Sequence, residues 1–414
     1  MSKGVWVNKG NAADHELYRG KIMDFKKALI ATSAICAVGA LGTNPADAAS
    51  KPKLGISGYY EVFAGWANGD RTAHTVDGTP VYQGDASQTE GKFNIVHYGE
   101  IRFKAEGKTD SGMKWGVYFE DVKDDYDADC AGDSSCGTNA EKQSTDEANI
   151  WFSGSWGKVE IGGQDGPGDR IYRGAEKLVS QSPALLDVFA DTQTAEGGRG
   201  FAREKMNISD TSDATKITYY TPRISGLQAG YSWIPELDSK GSVAGADTGV
   251  DGNAGHEFSV EWRGKVGPGS LHATWGGTVM PGDAPDDGFA QEASNFGWRA
   301  GVTYSQGPWS VAAGYKDAGE WARFDESGDN TGFDVGVAYN GGRWEVALIH
   351  IRTEAEDNEG DVEWNHTMLS GAYNFGGGLT ATASLHLFDL DEPTDTDDGG
   401  NSGTAVIVGV TAKF

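Results

Sequence analysis

Leu54-Gly55-Ile56-Ser57-Gly58-Tyr59-Tyr60-Glu61-Val62-Phe63-Ala64-Gly65-Trp66 decides the fold of this chain. Leu54, Ile56, Tyr60, Val62, Ala64 and Trp66 share one parity, while Ser57, Tyr59 and Glu61 hold the other. A period of two marks an extended strand whose faces meet different surroundings. The alternation returns sixteen times, in runs of about 8–13 residues. In the second run Ile95, Gly99, Ile101, Phe103 and Ala105 oppose Asn94, Glu100, Arg102, Lys104 and Glu106. In the last, Val406, Val408, Val410, Ala412 and Phe414 fall on one side. Every run keeps an apolar face, and almost no helical stretch exists to cover it. Hydrocarbon around a closed cylinder with a polar, water-filled interior satisfies both conditions.

The connections carry the same message. Seven short links, 107–112, 154–157, 222–226, 267–269, 306–308, 340–342 and 376–378, offer Gly, Asn or Pro for tight reversal. They alternate with eight polar segments of roughly 10 to 50 residues. Sixteen strands follow, an even number that puts both chain ends at one rim and lets the first and last strands pair without an open edge. The expected fold is all-β: a 16-stranded antiparallel transmembrane β-barrel with short periplasmic turns and long extracellular loops. Trp66, Trp115, Trp233, Trp309 and Tyr373 fit aromatic girdles at the two interfaces.

Residues 1–22 read as an upstream extension and 23–48 as a signal peptide. Asp24-Phe25-Lys26-Lys27 is its basic start, Ala28 to Gly42 its apolar core, and Ala46-Asp47-Ala48 its cleavage pattern. The barrel domain is then 49–414. Without 1–48 the chain carries 28 basic and 57 acidic residues, a net charge of −29, which excludes nucleic acid as a partner. That charge predicts a weak preference for cations and leaves room for bound Ca²⁺ at the acidic loops, with no ligand set named. Asp125-Tyr126-Asp127-Ala128-Asp129 opens like an EF-hand, but Cys130 and Cys136 stand where the glycine and final glutamate belong. In an oxidising compartment Cys130 and Cys136 read as a small disulfide loop; a metal pair is the weaker alternative, since no histidine lies nearby in sequence.

One connection differs from the rest. Residues 165–213 include the apolar Ala184-Leu185-Leu186-Asp187-Val188-Phe189-Ala190. A segment this long with an apolar stretch of its own needs a surface to rest on. The inside of the barrel is the expected place, and an extracellular cap the alternative. A barrel hydrolase would need a nucleophile, a histidine and an orienting group, and none of the eight histidines lies in a G-x-S-x-G or H-E-x-x-H setting, so no enzyme is expected. Tyr59, Tyr98, Tyr118, Trp151 and Tyr220 point inward by parity but are too scattered in sequence to form the track of a substrate-selective channel, which stays the alternative reading.

Two stretches carry a family resemblance. Ile150-Trp151-Phe152-Ser153-Gly154-Ser155-Trp156-Gly157-Lys158-Val159-Glu160-Ile161-Gly162-Gly163 resembles the hairpin that alphaproteobacterial general porins of the Gram-negative outer membrane place before their constriction loop. Tyr219-Tyr220-Thr221-Pro222-Arg223-Ile224-Ser225-Gly226-Leu227-Gln228-Ala229-Gly230 resembles the hairpin after it. The resemblance implies a homotrimer in outer-membrane lipid and lipopolysaccharide, with passive diffusion of small hydrophilic solutes and no cofactor. It also implies that the third long loop folds inward and faces a basic cluster on the wall. Carried onto this chain, the acidic side of that constriction is Asp165, Asp169, Glu176, Asp187 and Asp191, and the basic side is Arg102, Lys104, Lys114 and Lys158. The loop also holds Arg170, Arg173, Lys177, Arg199 and Arg203, which can pair with its own acids.

Overall fold

The computed structural model describes residues 50–72, 75–76, 79–80, 92–124, 144–190, 206, 208, 211, 214–235, 254–280, 295–319, 330–355, 361–392 and 399–414. The signal segment, Asp191, Cys130 and Cys136 lie outside the described residues. The chain divides into two compact units. The larger, Pro52–Glu106 with Trp115–Phe414, carries the barrel. Of the smaller, Gly107–Lys114 is a reverse turn in which Gly112 N donates to Thr109 O at 3.0 Å.

Sixteen antiparallel strands close into one barrel, each paired with its neighbours in sequence. They are β1 (Ser50–Thr72), β2 (Lys92–Lys108), β3 (Lys114–Asp124), β4 (Ser144–Gly154), β5 (Gly157–Gly163), β6 (Thr215–Tyr220), β7 (Leu227–Ile234) and β8 (Gly255–Val266). The series continues with β9 (Gly269–Met280), β10 (Asn295–Gln306), β11 (Trp309–Asp317), β12 (Asn330–Asn340), β13 (Trp344–Ala355), β14 (Val362–Gly376), β15 (Leu379–Glu392) and β16 (Gly399–Lys413). Every short link named from the sequence is a hairpin turn here. Gly267 and Gly307 hold φ of 56° and 57°, a backbone that tight hairpins demand and glycine tolerates. The last two long connections are shorter than expected, six residues each (356–361 and 393–398).

Closure joins the ends of the chain. Tyr60 faces Ala412, Trp66 faces Val406, and Gly58 and Phe414 exchange two backbone hydrogen bonds of 2.9 and 3.0 Å. No ladder edge of β1 or β16 is left for hydrocarbon to desolvate. The parity assignment holds: Val406, Val408 and Val410 on the outer face are 45–50% exposed, while Ala405 and Ile407 of the opposite parity are fully buried. Among the described residues no helix is long and apolar enough to cross a membrane; the chain crosses with strands.

The interior departs from expectation on one side. A uniformly wet lumen would leave inward residues polar, yet Ile349 and Ile351 of β13, Trp364 and Met368 of β14, Phe388 of β15 and Ile407 of β16 are inward and buried. The reason is the segment after β5. Its residues Leu186, Phe189 and Ala190 share a core with Phe63, Trp364, Phe388 and Ile407. Tyr172 and Ala175 share a second core with Ile349, Ile351 and Met368. The apolar Ala184–Ala190 stretch therefore lies inside the barrel, against a wall that is apolar to receive it.

Candidate functional site

The inward segment leaves β5 through Gln164, which is fully buried and donates from Nε2 to Thr218 Oγ1 on β6 at 3.1 Å. Gly166 follows against β8: a β-carbon there would overlap the Glu257 carboxylate and force it to move. One short helix, α1 (Pro167–Ile171), then turns the chain across the lumen, with proline in its first turn where a missing N–H costs nothing. Two 3-10 turns continue it, Ala175–Leu178 and Pro183–Val188.

Two wall stations hold this segment. At the first, Arg299 of β10, 2% exposed, donates to Asp169 Oδ1 at 2.6 Å, to Gly168 O at 3.0 Å and to Met206 O at 2.9 Å. Its guanidinium also lies 4.6 Å from the Tyr172 ring centre. Desolvation pulls the Asp169 carboxyl upward, and the charge and hydrogen bond of Arg299 outweigh it, so Asp169 is held below the usual aspartate value. At the second station Asp334 of β12 accepts from the Glu176 amide and the Tyr172 hydroxyl, both at 3.2 Å. Buried, charge-assisted bonds of this kind fix position as well as contributing energy.

On the opposite side of the segment the lumen stays open. A cavity of about 630 Å³ lies between it and the wall formed by β2 to β5. Six acidic and four basic side chains line it. On the wall, Arg102 Nε donates to Glu120 at 3.0 Å and Nη2 to Glu100. Tyr59 and Tyr98 donate to Glu100 at 2.6 and 2.7 Å, and Tyr118 donates to Glu120. Lys158 pairs with Glu160 and lies 5.2 Å from the Trp151 ring centre. Arg170, from α1, reaches across to Glu160 at 2.8 Å and to Glu147 at 3.3 Å. Burial would lower the Arg170 value, but Glu160 and Glu147 beside it raise it and keep the guanidinium charged.

The structure sorts the predicted residues. Asp165, Arg102, Lys104 and Lys158 all line that cavity. Lys104 pairs with Glu106 at 2.8 Å. Asp169 faces Arg299 instead. The Glu176 carboxylate accepts from Met206 N at 3.4 Å and pairs with Lys177 at 3.0 Å, a contact within the segment itself. Asp187 sits in the second 3-10 turn, away from the cavity lining. Lys114 is exposed, at the end of the Gly107–Lys114 turn. The expected division of acidic loop from basic wall is not what the contacts draw: Asp169 to Arg299 follows it, and Arg170 to Glu147 and Glu160 reverses it. Nor are the inward tyrosines scattered. Tyr59, Tyr98 and Tyr118 converge on two glutamates because three neighbouring strands bring them level.

Sequence reasoning missed Arg299 and Asp334 as anchors and treated Glu100, Glu120, Glu147 and Glu160 only as strand positions, if at all. Parity was the available signal. Trp298-Arg299-Ala300 and Phe333-Asp334-Val335 each put one charge inward between outward apolar neighbours.

Comparison with known proteins agrees with this architecture. A family model described as Gram-negative porin matches residues 31–398. The anion-selective porin from Comamonas acidovorans superimposes with a TM-score of 0.57 at 16% identity, covering 88% of this chain and 100% of that one. Salmonella typhi OmpF in complex with daunomycin gives 0.57 at 13% identity, covering 87% and 98%. A trimer form of OmpT, an outer membrane protein of Vibrio cholerae, gives 0.55 at 11% identity, covering 89% and 100%. At these identities the structural likeness concerns the fold alone. No curated protein matches the chain.

Proposed function

This chain belongs to the Gram-negative porins, outer-membrane channels for passive diffusion, and from that premise we propose that its lumen passes small hydrophilic solutes and ions with a weak preference for cations. The observation that carries the selectivity is the excess of carboxylates around the open cavity, six against four cationic side chains. A solute entering from outside exchanges water for fixed donors and acceptors on both sides of its path, so its desolvation is compensated. An apolar solute loses water without finding partners and is slowed. The opposing charges across the cavity align a dipolar solute as it passes. Most carboxylates already bond a cation or a tyrosine, which is why the preference is weak rather than strong. The Comamonas protein is an anion-selective porin, so this barrel fold does not by itself fix the sign of the charge that passes.

Reversal potential across a planar bilayer in a KCl gradient tests the reading. The expected result is a cation-to-anion permeability ratio modestly above one; a ratio below one overturns the selectivity, and the absence of conductance overturns the channel. The working unit is a homotrimer, as in the trimer form of the Vibrio protein, seated among lipid and lipopolysaccharide. Asp165, Asp169, Glu176, Asp187 and Asp191 with Arg102, Lys104, Lys114 and Lys158 supply the charges at and around the constriction. The exported chain is 49–414, with 165–213 as constriction loop, a disulfide between Cys130 and Cys136, no cofactor, and room for Ca²⁺ at its acidic loops. It performs no catalysis; conductance is its whole activity.

A further inference from the structure

Arg170 pairs with two carboxylates of the wall. Its guanidinium bridges Glu160 of β5 and Glu147 of β4, at 2.8 and 3.3 Å. Glu147 also accepts the Asp165 amide at 3.3 Å, and Glu160 also pairs with Lys158 below it. In the ladder between the two glutamates, Asn149 is paired with Gly162, so no side chain from β5 fills the space before the asparagine. Asn149 is 7% exposed and lines the cavity, and its Oδ1 has no hydrogen-bond partner among the described residues. The wall thus offers two carboxylates and an unused carbonyl oxygen, acceptors that call for a positively charged N–H donor. The donor that reaches two of them comes from across the lumen, on the loop.

Resting on the channel reading above, we propose that Arg170 is a specificity-determining residue: a tethered guanidinium that fills a wall site fitted to a small N–H-bearing cation. Its presence weakens the pore's cation preference and keeps free guanidinium and ammonium solutes from lodging there. Without it, Glu147, Glu160 and Asn149 form an open binding site for such a solute.

Planar-bilayer recordings of Arg170→Ala and Arg170→Lys test this. In R170A at 0.1 M KCl the cation-to-anion permeability ratio rises at least about threefold: one unit charge roughly 6 Å from the ion path in water changes each ion's partition by about threefold in opposite directions, and screening at that salt reduces the roughly tenfold product. The gain shrinks at 1 M salt, where screening reaches only about 3 Å. R170K retains the wild-type ratio, and α1 stays seated by Arg299 in both variants. Guanidinium chloride then lowers the R170A current saturably and returns the permeability ratio toward wild type, with no saturation in the wild-type pore. An unchanged ratio in R170A, an equal rise in R170K, or no saturable effect of guanidinium overturns the assignment. If R170A does not assemble, Glu147→Gln with Glu160→Gln removes the same pairing from the wall side and shifts the ratio toward anions by a larger factor, since two charges are lost instead of one; no shift there overturns it equally. A wild-type chain that conducts nothing refutes the channel reading, whereas a conducting pore whose selectivity ignores Arg170 refutes this inference alone.

Discussion

Arg299 and Asp169 form the contact on which the loop's position turns most directly. Arg299 is buried at 2% exposure and satisfies one carboxylate and two backbone carbonyls. Arg299→Met keeps most of the volume and removes the donors. The cost is about 1–3 kcal/mol for groups left without partners, and the expected readout is a noisier open-channel current as α1 detaches. The same contact gives the pore a pH dependence. Asp169 is held below its free value, so its contribution is complete above about pH 4 and is lost as pH falls through the lower folded value. Wild-type current noise therefore increases on acidification below that point. Asp169→Asn, which resembles the protonated form, shows the higher noise at neutral pH and no further pH-dependent rise; a variant as quiet as wild type would contradict the anchor.

At the scale of the element, the constriction loop is held by apolar packing as much as by charge. Leu186 is fully buried and Phe189 7% exposed among Phe63, Trp364, Phe388 and Ile407. Phe189→Ala costs about 3–5 kcal/mol of that packing, enough to unseat the second half of the loop. Single-channel conductance is expected to rise, because a lumen partly filled by the loop becomes wider; an unchanged conductance would show that this half carries no part of the constriction. Here the limits of sequence reading are plain. The apolar run Ala184–Ala190 announced that the loop must rest on something, and the strand parity announced which residues face inward. Neither told which of sixteen strands receives the loop, since that depends on how far the segment reaches after Gly166 turns it along β8. The apolar inward Ile349, Ile351 and Trp364 are explained by the loop that packs against them.

For the whole molecule, the alternation beginning at Leu54–Trp66 was enough to give strand number, direction and closure, because hydrocarbon permits so few solutions for a spanning backbone. The charge arrangement was less legible. Parity places Arg102 and Glu120 inward but gives no vertical register between strands, and the pairing that turns Arg170 toward wall glutamates depends on that register. The lipid-facing surface carries its own prediction. Val408→Arg, at the centre of β16, destabilises the barrel by about 2–4 kcal/mol in urea unfolding from lipid vesicles, whereas a cost near zero would place that face in water.

The claim beneath all of this is that adjacent residues of one strand meet opposite media. Single cysteines at 101, 102, 103 and 104 of β2, in a chain lacking Cys130 and Cys136, put it to the test with a charged, water-soluble thiol reagent during bilayer recording. Modification at 102 and 104, where Arg102 and Lys104 line the open cavity, is predicted to step the current down, while 101 and 103, where Ile101 and Phe103 face outward, stay unreactive. Reaction at all four positions alike, or at 101 and 103 alone, would contradict a water-filled barrel in lipid.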